Sequence, residues 1–237
     1  MEKRAVILAG GKGTRLKPFT IVLPKPLVPI HEYPVLELIV RQLKLCGFTH
    51  ITMAVNHMAE LIMAYFGNGS KFGVSIDYSL EDTPLSTMGP LRLINDLPDN
   101  FLVMNGDVLT DLDLSSFYNR HVESGSLFTI ASHRRSIKSE YGVLDIDDNN
   151  NLIDFREKPE LCFLVSMGIY MINKTIINKI PENTIFGFDH LMMRLLKDKI
   201  PVNVFSYDGY WLDIGRPDDY EKAIDEFETI KNVFLND

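Results

Sequence analysis

Three stretches of the 237-residue chain gather residue types that can handle phosphate. The first is Gly10-Gly11-Lys12-Gly13-Thr14-Arg15. Its glycines let backbone N–H groups approach an anion closely, Lys12 and Arg15 bring positive charge, and Thr14 adds a hydroxyl. Arg15 can grip two phosphate oxygens at once. The run is not a Walker A loop, because the Gly-Lys-Ser/Thr ending is absent. Nor is it a dinucleotide fingerprint, because no glycine stands three residues after Gly13. The second stretch, Pro24-Lys25-Pro26, holds a cation in a stiff extended frame. Glu157-Lys158-Pro159 repeats that logic.

The charge distribution supports this reading. Residues 1–27 carry six basic side chains (Lys3, Arg4, Lys12, Arg15, Lys17, Lys25) against one acid, Glu2, whereas the whole chain has a net charge of −8. The acidic average argues against a general nucleic-acid binder. A basic, glycine-rich rim on an acidic protein reads as a polyphosphate pocket.

Carboxylates sit where strands should end. Asp107 follows Gly106, and Asp213 closes Trp211-Leu212-Asp213 ahead of Gly215. Mg2+ takes hard oxygens, commonly one or two carboxylates plus substrate phosphates. On residues alone, each aspartate reads first as a turn or helix-cap residue, with metal binding as the alternative. Asp111-Leu112-Asp113 forms a DxD pair, although Asp113 also suits the N-cap of a helix over residues 115–123.

The elements that must position these groups alternate. Short apolar runs at 4–9, 51–55, 74–79 and 101–104 read as strands, and residues 34–46 and 58–66 as helices, with 89–95 as a short one. This alternation implies an α/β fold with a Rossmann-like, mostly parallel central sheet flanked by helices. Residues 127–132, 143–146, 152–155, 161–172, 202–207 and 210–214 are strand-like, with 147–151 as a hairpin turn. They suggest a smaller mixed-sheet lobe, followed by a closing helix over 217–234. We expect one domain over 1–237, with a nucleotide-binding half to about residue 125 and a sugar-binding half after it.

The segment LAGGKGTRLKPFTIVLPKPLVPI, residues 8–30, resembles the signature of the sugar-1-phosphate nucleotidyltransferases, closest in pattern to mannose-1-phosphate guanylyltransferase-like enzymes. The resemblance continues through EDTPLSTMGPL (81–91), NGDVLTD (105–111), YGVLDID (141–147), FREKP (155–159), GIY (168–170) and WLDIGRPDDY (211–220).

It implies transfer of a nucleotidyl group from an NTP to a sugar 1-phosphate, with pyrophosphate released. Asp107 and Asp213 would hold Mg2+. Leu8, Gly10, Gly11, Lys12, Gly13 and Thr14 would bind the nucleotide, and Arg15 and Lys25 would neutralise its phosphates. Glu81 would read the base edge. A carboxylate only accepts hydrogen bonds, which matches the N1–H and N2–H2 of guanine and favours GTP. Gly89 would let the backbone approach the base. Gly142, Glu157 and Lys158 would bind the sugar phosphate. Ser166 stands where the family usually carries a sugar-contacting Asn. Met88, where a small residue is usual, would lie beside the nucleotide.

Rival readings are a uridylyl-, cytidylyl- or thymidylyltransferase, a glycosyltransferase using Asp111 and Asp113, and a module that only senses nucleotide sugars. No nucleic-acid or membrane partner is expected, and homo-oligomerisation is left open. The six histidines lie outside the motif segments that carry the chemistry, and a structural or surface role is expected for them. Two cysteines, Cys46 and Cys162, form no ligand spacing and read as buried small hydrophobes in a cytoplasmic protein.

Overall fold

The structure is a computed structural model that describes residues 3–235. Among the described residues, thirteen strands and five α-helices follow in chain order. They are β1 (Lys3–Leu8), β2 (Pro29–Ile30), β3 (Tyr33–Pro34), α1 (Val35–Leu45), β4 (Phe48–Val55), α2 (Ala59–Phe66), β5 (Ser75–Leu80), β6 (Asn100–Asn105) and β7 (Val108–Thr110). Then come α3 (Leu114–Ser124), β8 (Phe128–Lys138), β9 (Val143–Ile146), β10 (Leu152–Arg156), β11 (Glu160–Asn173), α4 (Phe188–Lys197), β12 (Asn203–Tyr207), β13 (Trp211–Asp213) and α5 (Pro217–Ile230). The segment Gly89–Leu93 forms a 3-10 helix, not an α-helix.

Seven strands build the central sheet in the order β12-β8-β11-β6-β1-β4-β5. All are parallel except β11, which runs antiparallel to both β6 and β8. Strands of the second half therefore extend the same sheet. The smaller sheets are the pairs β9–β10, β7–β13 and β2–β3.

The central strands β1 and β6 carry unbroken apolar runs, residues 5–8 and 101–104, because both faces are covered there. Ala5, Ile7, Leu102 and Met104 point into one core with Leu36 of α1, Phe117 of α3 and Phe227 of α5. Val6, Phe101 and Val103 point into a second core with Leu191 and Leu195 of α4. The period-2 alternation of side chains thus feeds two cores from one strand. Asp113 caps α3, its Oδ1 accepting N–H groups of Ser115 and Ser116 at 2.9 and 3.1 Å, and Gly125 ends the helix at φ +64°.

Lys3 and Arg4 sit at the start of β1, at the end of the sheet away from the glycine loop. Lys3 bonds Ser115, and Arg4 is buried against Thr52 and ion-paired with Asp96. Lys17 does not line the glycine-loop cleft either, so the expected basic rim narrows to Lys12, Arg15 and Lys25. Cys46 is half-buried against a core, but Cys162 is exposed, contrary to its apolar sequence context.

Candidate functional site

The carboxyl ends of β1, β4, β5 and β6 converge, the place where open α/β sheets bind ligands. Here they enclose a cleft of about 620 Å³. Leu8, the run Gly10 to Arg15, Lys25, Glu81 and Asp107 line it. Asp213 stands just behind Gly215, which is part of the wall.

The glycine loop owes its shape to Gly13. Its φ is +60°, and a Cβ there would lie 2.7 Å from Lys25 Cβ and 2.9 Å from Thr20 Cγ2. Thr20 Oγ1 donates to the Gly13 carbonyl at 2.8 Å and so locks the turn. Lys25 opens a short 3-10 turn between its two prolines, which aims its stem under the loop.

Pairing of β7 with β13, with Asp213 opposite Val108, brings Asp213 beside Asp107. The Ile214 N–H donates to the Asp107 carbonyl at 2.9 Å and secures the approach. Lys25 Nζ is ion-paired with Asp107 and lies 4.0 Å from Asp213 Oδ1. The Lys25 side chain is only 12% exposed. Burial pushes its ammonium pKa down to about 8, and Asp213 opposes that shift while nearby Arg15 adds to it. The two carboxylates around one point suit a hard divalent ion whose remaining ligands are water and phosphate oxygens. Among the described residues, no cluster of three or more His, Cys, Asp or Glu could hold a metal, so an ion here would rest on these two carboxylates and on non-protein oxygens.

Glu81 follows β5 and is half-buried. Its Oε2 accepts the Leu85 N–H at 2.7 Å, and its Oε1 turns toward Gly10. Burial raises its pKa, and the Leu85 hydrogen bond opposes the rise. Asn56, the first residue after β4, donates to the Glu81 carbonyl at 2.8 Å and also lines the cleft. Neither Asn56 nor Asn105 is assigned a role from sequence, although Asn105 opens the NGDVLTD motif and each stands where a buried strand ends, which is a usable signal.

Other candidates lie outside the cleft lining. Gly89 is buried, and a Cβ there would press on Leu85 Cβ at 2.7 Å and the Thr184 carbonyl at 3.1 Å. Met88, expected beside the nucleotide, is fully buried in the core that contains α4. Gly142, Glu157 and Lys158 belong to the β8–β11 arm and its β9–β10 hairpin. Gly142 packs against Phe155 and Glu157, Glu157 and Lys158 are exposed, and Lys158 has φ +42°. The Ser166 hydroxyl donates to Tyr170 Oη at 3.2 Å and accepts the Gly168 N–H at 3.3 Å.

The DxD acids are used structurally. Asp111 Oδ1 accepts from Tyr207 Oη at 2.5 Å and from the Tyr210 N–H at 2.7 Å, while Asp113 caps α3. No histidine lines the cleft among the described residues. No helix among them is long and apolar enough to cross a membrane.

The family model described as nucleotidyl transferase matches residues 4–230. The chain belongs to that family, among the sugar-1-phosphate nucleotidyltransferases. A UTP–glucose-1-phosphate uridylyltransferase from Synechocystis sp. is 36% identical over 97% of this chain and 65% of its own length. A D-glycero-alpha-D-manno-heptose 1-phosphate guanylyltransferase from Campylobacter jejuni is 33% identical over 92% of this chain and 96% of its own. The solved structure of HddC from Yersinia pseudotuberculosis complexed with GMP-PN is 28% identical, covers 95% of this chain and 99% of that one, and has a TM-score of 0.73. The chain thus spans just under two thirds of the Synechocystis protein.

Proposed function

We propose that this protein transfers a nucleotidyl group from an NTP to a sugar 1-phosphate and releases pyrophosphate. The observation that carries this reading is the Lys25 ammonium held between Asp107 and Asp213 on the floor of a glycine-lined cleft. Family membership and the similarity to nucleotidyltransferases of sugar 1-phosphates support it.

The chemistry demands little of the protein beyond alignment and neutralisation of charge. A sugar 1-phosphate has a second pKa near 6, as phosphate monoesters do, so its attacking oxygen is already anionic at neutral pH. It attacks the α-phosphorus in line with the departing pyrophosphate. Arg15 and the N–H groups of the glycine loop hold the β- and γ-phosphates. Lys25 bonds the α-phosphate, where its burial strengthens the attraction. Asp107 and Asp213 would hold Mg2+, which would supply further neutralisation of phosphate charge. Glu157, Lys158 and the Gly142 N–H engage the sugar phosphate from the arm.

GTP is the favoured nucleotide. Glu81 spends Oε2 on Leu85 and keeps Oε1 toward Gly10, where it can accept from a base that offers donors. The similarity to a guanylyltransferase and to a structure complexed with GMP-PN supports this choice. Uridylyl transfer is the second reading, favoured by the similar Synechocystis protein.

The test is to incubate the protein and Mg2+ with each NTP against a panel of sugar 1-phosphates and to measure pyrophosphate. Release is expected with GTP and at least one sugar. Release with UTP alone would overturn the base assignment. No release with any pair would overturn the activity.

A further inference from the structure

The strand that carries Asp213 has a second set of supports, which none of the roles above uses. β13 is three residues long and, among the described residues, pairs with β7 alone. A pair of strands that short is marginal by itself. Asp219, in the first turn of α5, holds it from the other side. This residue is 5% exposed, and its carboxylate takes three donors. Arg135 Nη1 donates to Oδ2 at 3.0 Å, Arg135 Nη2 to Oδ1 at 2.7 Å, and the Asp213 backbone N–H to Oδ2 at 3.1 Å.

Arg135 comes from β8, where it stands in register with Phe163 of β11. Its guanidinium lies over the Trp211 ring, 5.6 Å from the centroid. Trp211 opens β13 and donates its Nε1–H to the Met167 carbonyl of β11 at 3.0 Å. Both ends of the strand are thereby fastened to the arm formed by β8 and β11. Charge matters as much as contact. Asp219 alone would be a buried anion one hydrogen bond away from Asp213, and the bidentate guanidinium neutralises it.

We propose that Arg135 and Asp219 are positioning residues for Asp213, keeping its carboxylate opposite Asp107 so that the two can share a divalent ion. This rests on the reading of Asp107 and Asp213 as the ion-binding pair. Replacing Asp219 by Asn keeps the size but frees the Arg135 charge, which then draws Asp213 away from Asp107.

The experiment is a Mn2+ titration followed by electron paramagnetic resonance, with a non-hydrolysable GTP or UTP analogue present. Nucleotide affinity without metal and the thermal midpoint are measured beside it. Asp219→Asn should weaken Mn2+ about 10- to 100-fold, the range for groups that orient metal ligands. Arg135→Lys, which keeps the charge but loses the fork, should weaken it at least threefold. Metal-free nucleotide affinity should stay within about twofold. Mn2+ affinity within threefold of the unsubstituted protein in both variants would overturn the proposal. So would an equal loss of metal-free nucleotide binding, the signature of a merely structural role. If Asp219→Asn does not fold, Arg135→Lys decides. Absence of Mn2+ binding in the unsubstituted protein would overturn the proposal together with the ion-pair reading. Mn2+ binding without pyrophosphate release from any substrate pair would count against the proposed function alone.

Discussion

Lys25 Nζ lies 4.0 Å from Asp213 Oδ1, a separation that one antiparallel pairing, β7 with β13, makes possible. The ammonium is buried, and it keeps its proton less firmly than a surface lysine. Burial lowers the pKa to about 8, Arg15 repels the charge further, and Asp213 restores only part of it.

That balance predicts an alkaline limb in kcat/KM. Activity that depends on charged Lys25 should be nearly full about one pH unit below its pKa, half lost at about pH 8 and fall further above it in the free enzyme. A bound triphosphate favours the charged form, so the limb in kcat should lie higher. Lys25→Arg should abolish the limb near pH 8 whatever its own turnover. A flat profile from pH 7 to 9.5 in the unsubstituted protein would contradict the role of Lys25.

Base choice should depend on Glu81. In Glu81→Gln the charge is lost, and with the amide oxygen kept on the Leu85 N–H the NH2 turns toward Gly10, a mismatch for the donors of guanine. Hydrogen bonds to charged groups are worth roughly 1.5–3 kcal/mol, so kcat/KM for GTP should fall on the order of 10- to 100-fold. The value for UTP should change much less. Equal losses for both nucleotides would point to a packing role at Leu85.

Gly13→Ala should damage the phosphate end of the cleft. The positive φ alone costs about 1 kcal/mol or more for a residue with a Cβ, and the added methyl meets Lys25 Cβ at 2.7 Å. Relief requires the loop or the Lys25 stem to move. Turnover should fall at least tenfold, with the circular dichroism spectrum unchanged. Turnover within twofold would show that the loop tolerates displacement.

Asp113→Ala separates the helix-cap use from the glycosyltransferase reading. Loss of the cap should cost about 1 kcal/mol, a fall in Tm of roughly 2–4 °C for a chain of this size. Pyrophosphate release should be unchanged. A collapse of activity without loss of stability would restore the DxD pair to the chemistry.

Much of this architecture is legible in the sequence because buried parallel strands leave a strong trace. Residues 4–9, 51–55 and 101–104 are apolar runs closed by turn residues, and each proves to be a central strand. The hairpin around Asp147 is equally plain, since Asp147 Oδ1 accepts N–H groups of Asn149 and Asn151. Spatial partnership left no such trace. The basic count over residues 1–27 pools Arg4 with Arg15, but the direction of β1 sends them to opposite ends of the sheet. Gly89 and Met88 read as neighbours of a nucleotide because of their motif, yet they pack behind the wall against residues 184–186 and the α4 core. Arg135 gave no signal, because its partner Asp219 becomes visible only once β8 and α5 are folded together.

The reversed strand β11 has a consequence for how the chain is made. Its slot lies between β6 and β8, which are both synthesised before it. Until residue 173 has left the ribosome, β6 presents the backbone of residues 100–105 as an open, apolar edge, and β8 has no neighbour to join it to the sheet. Unpaired edges of this kind recruit other chains. The nascent protein therefore passes through a stage that invites aggregation, and insertion of a single strand ends it by sealing two edges at once.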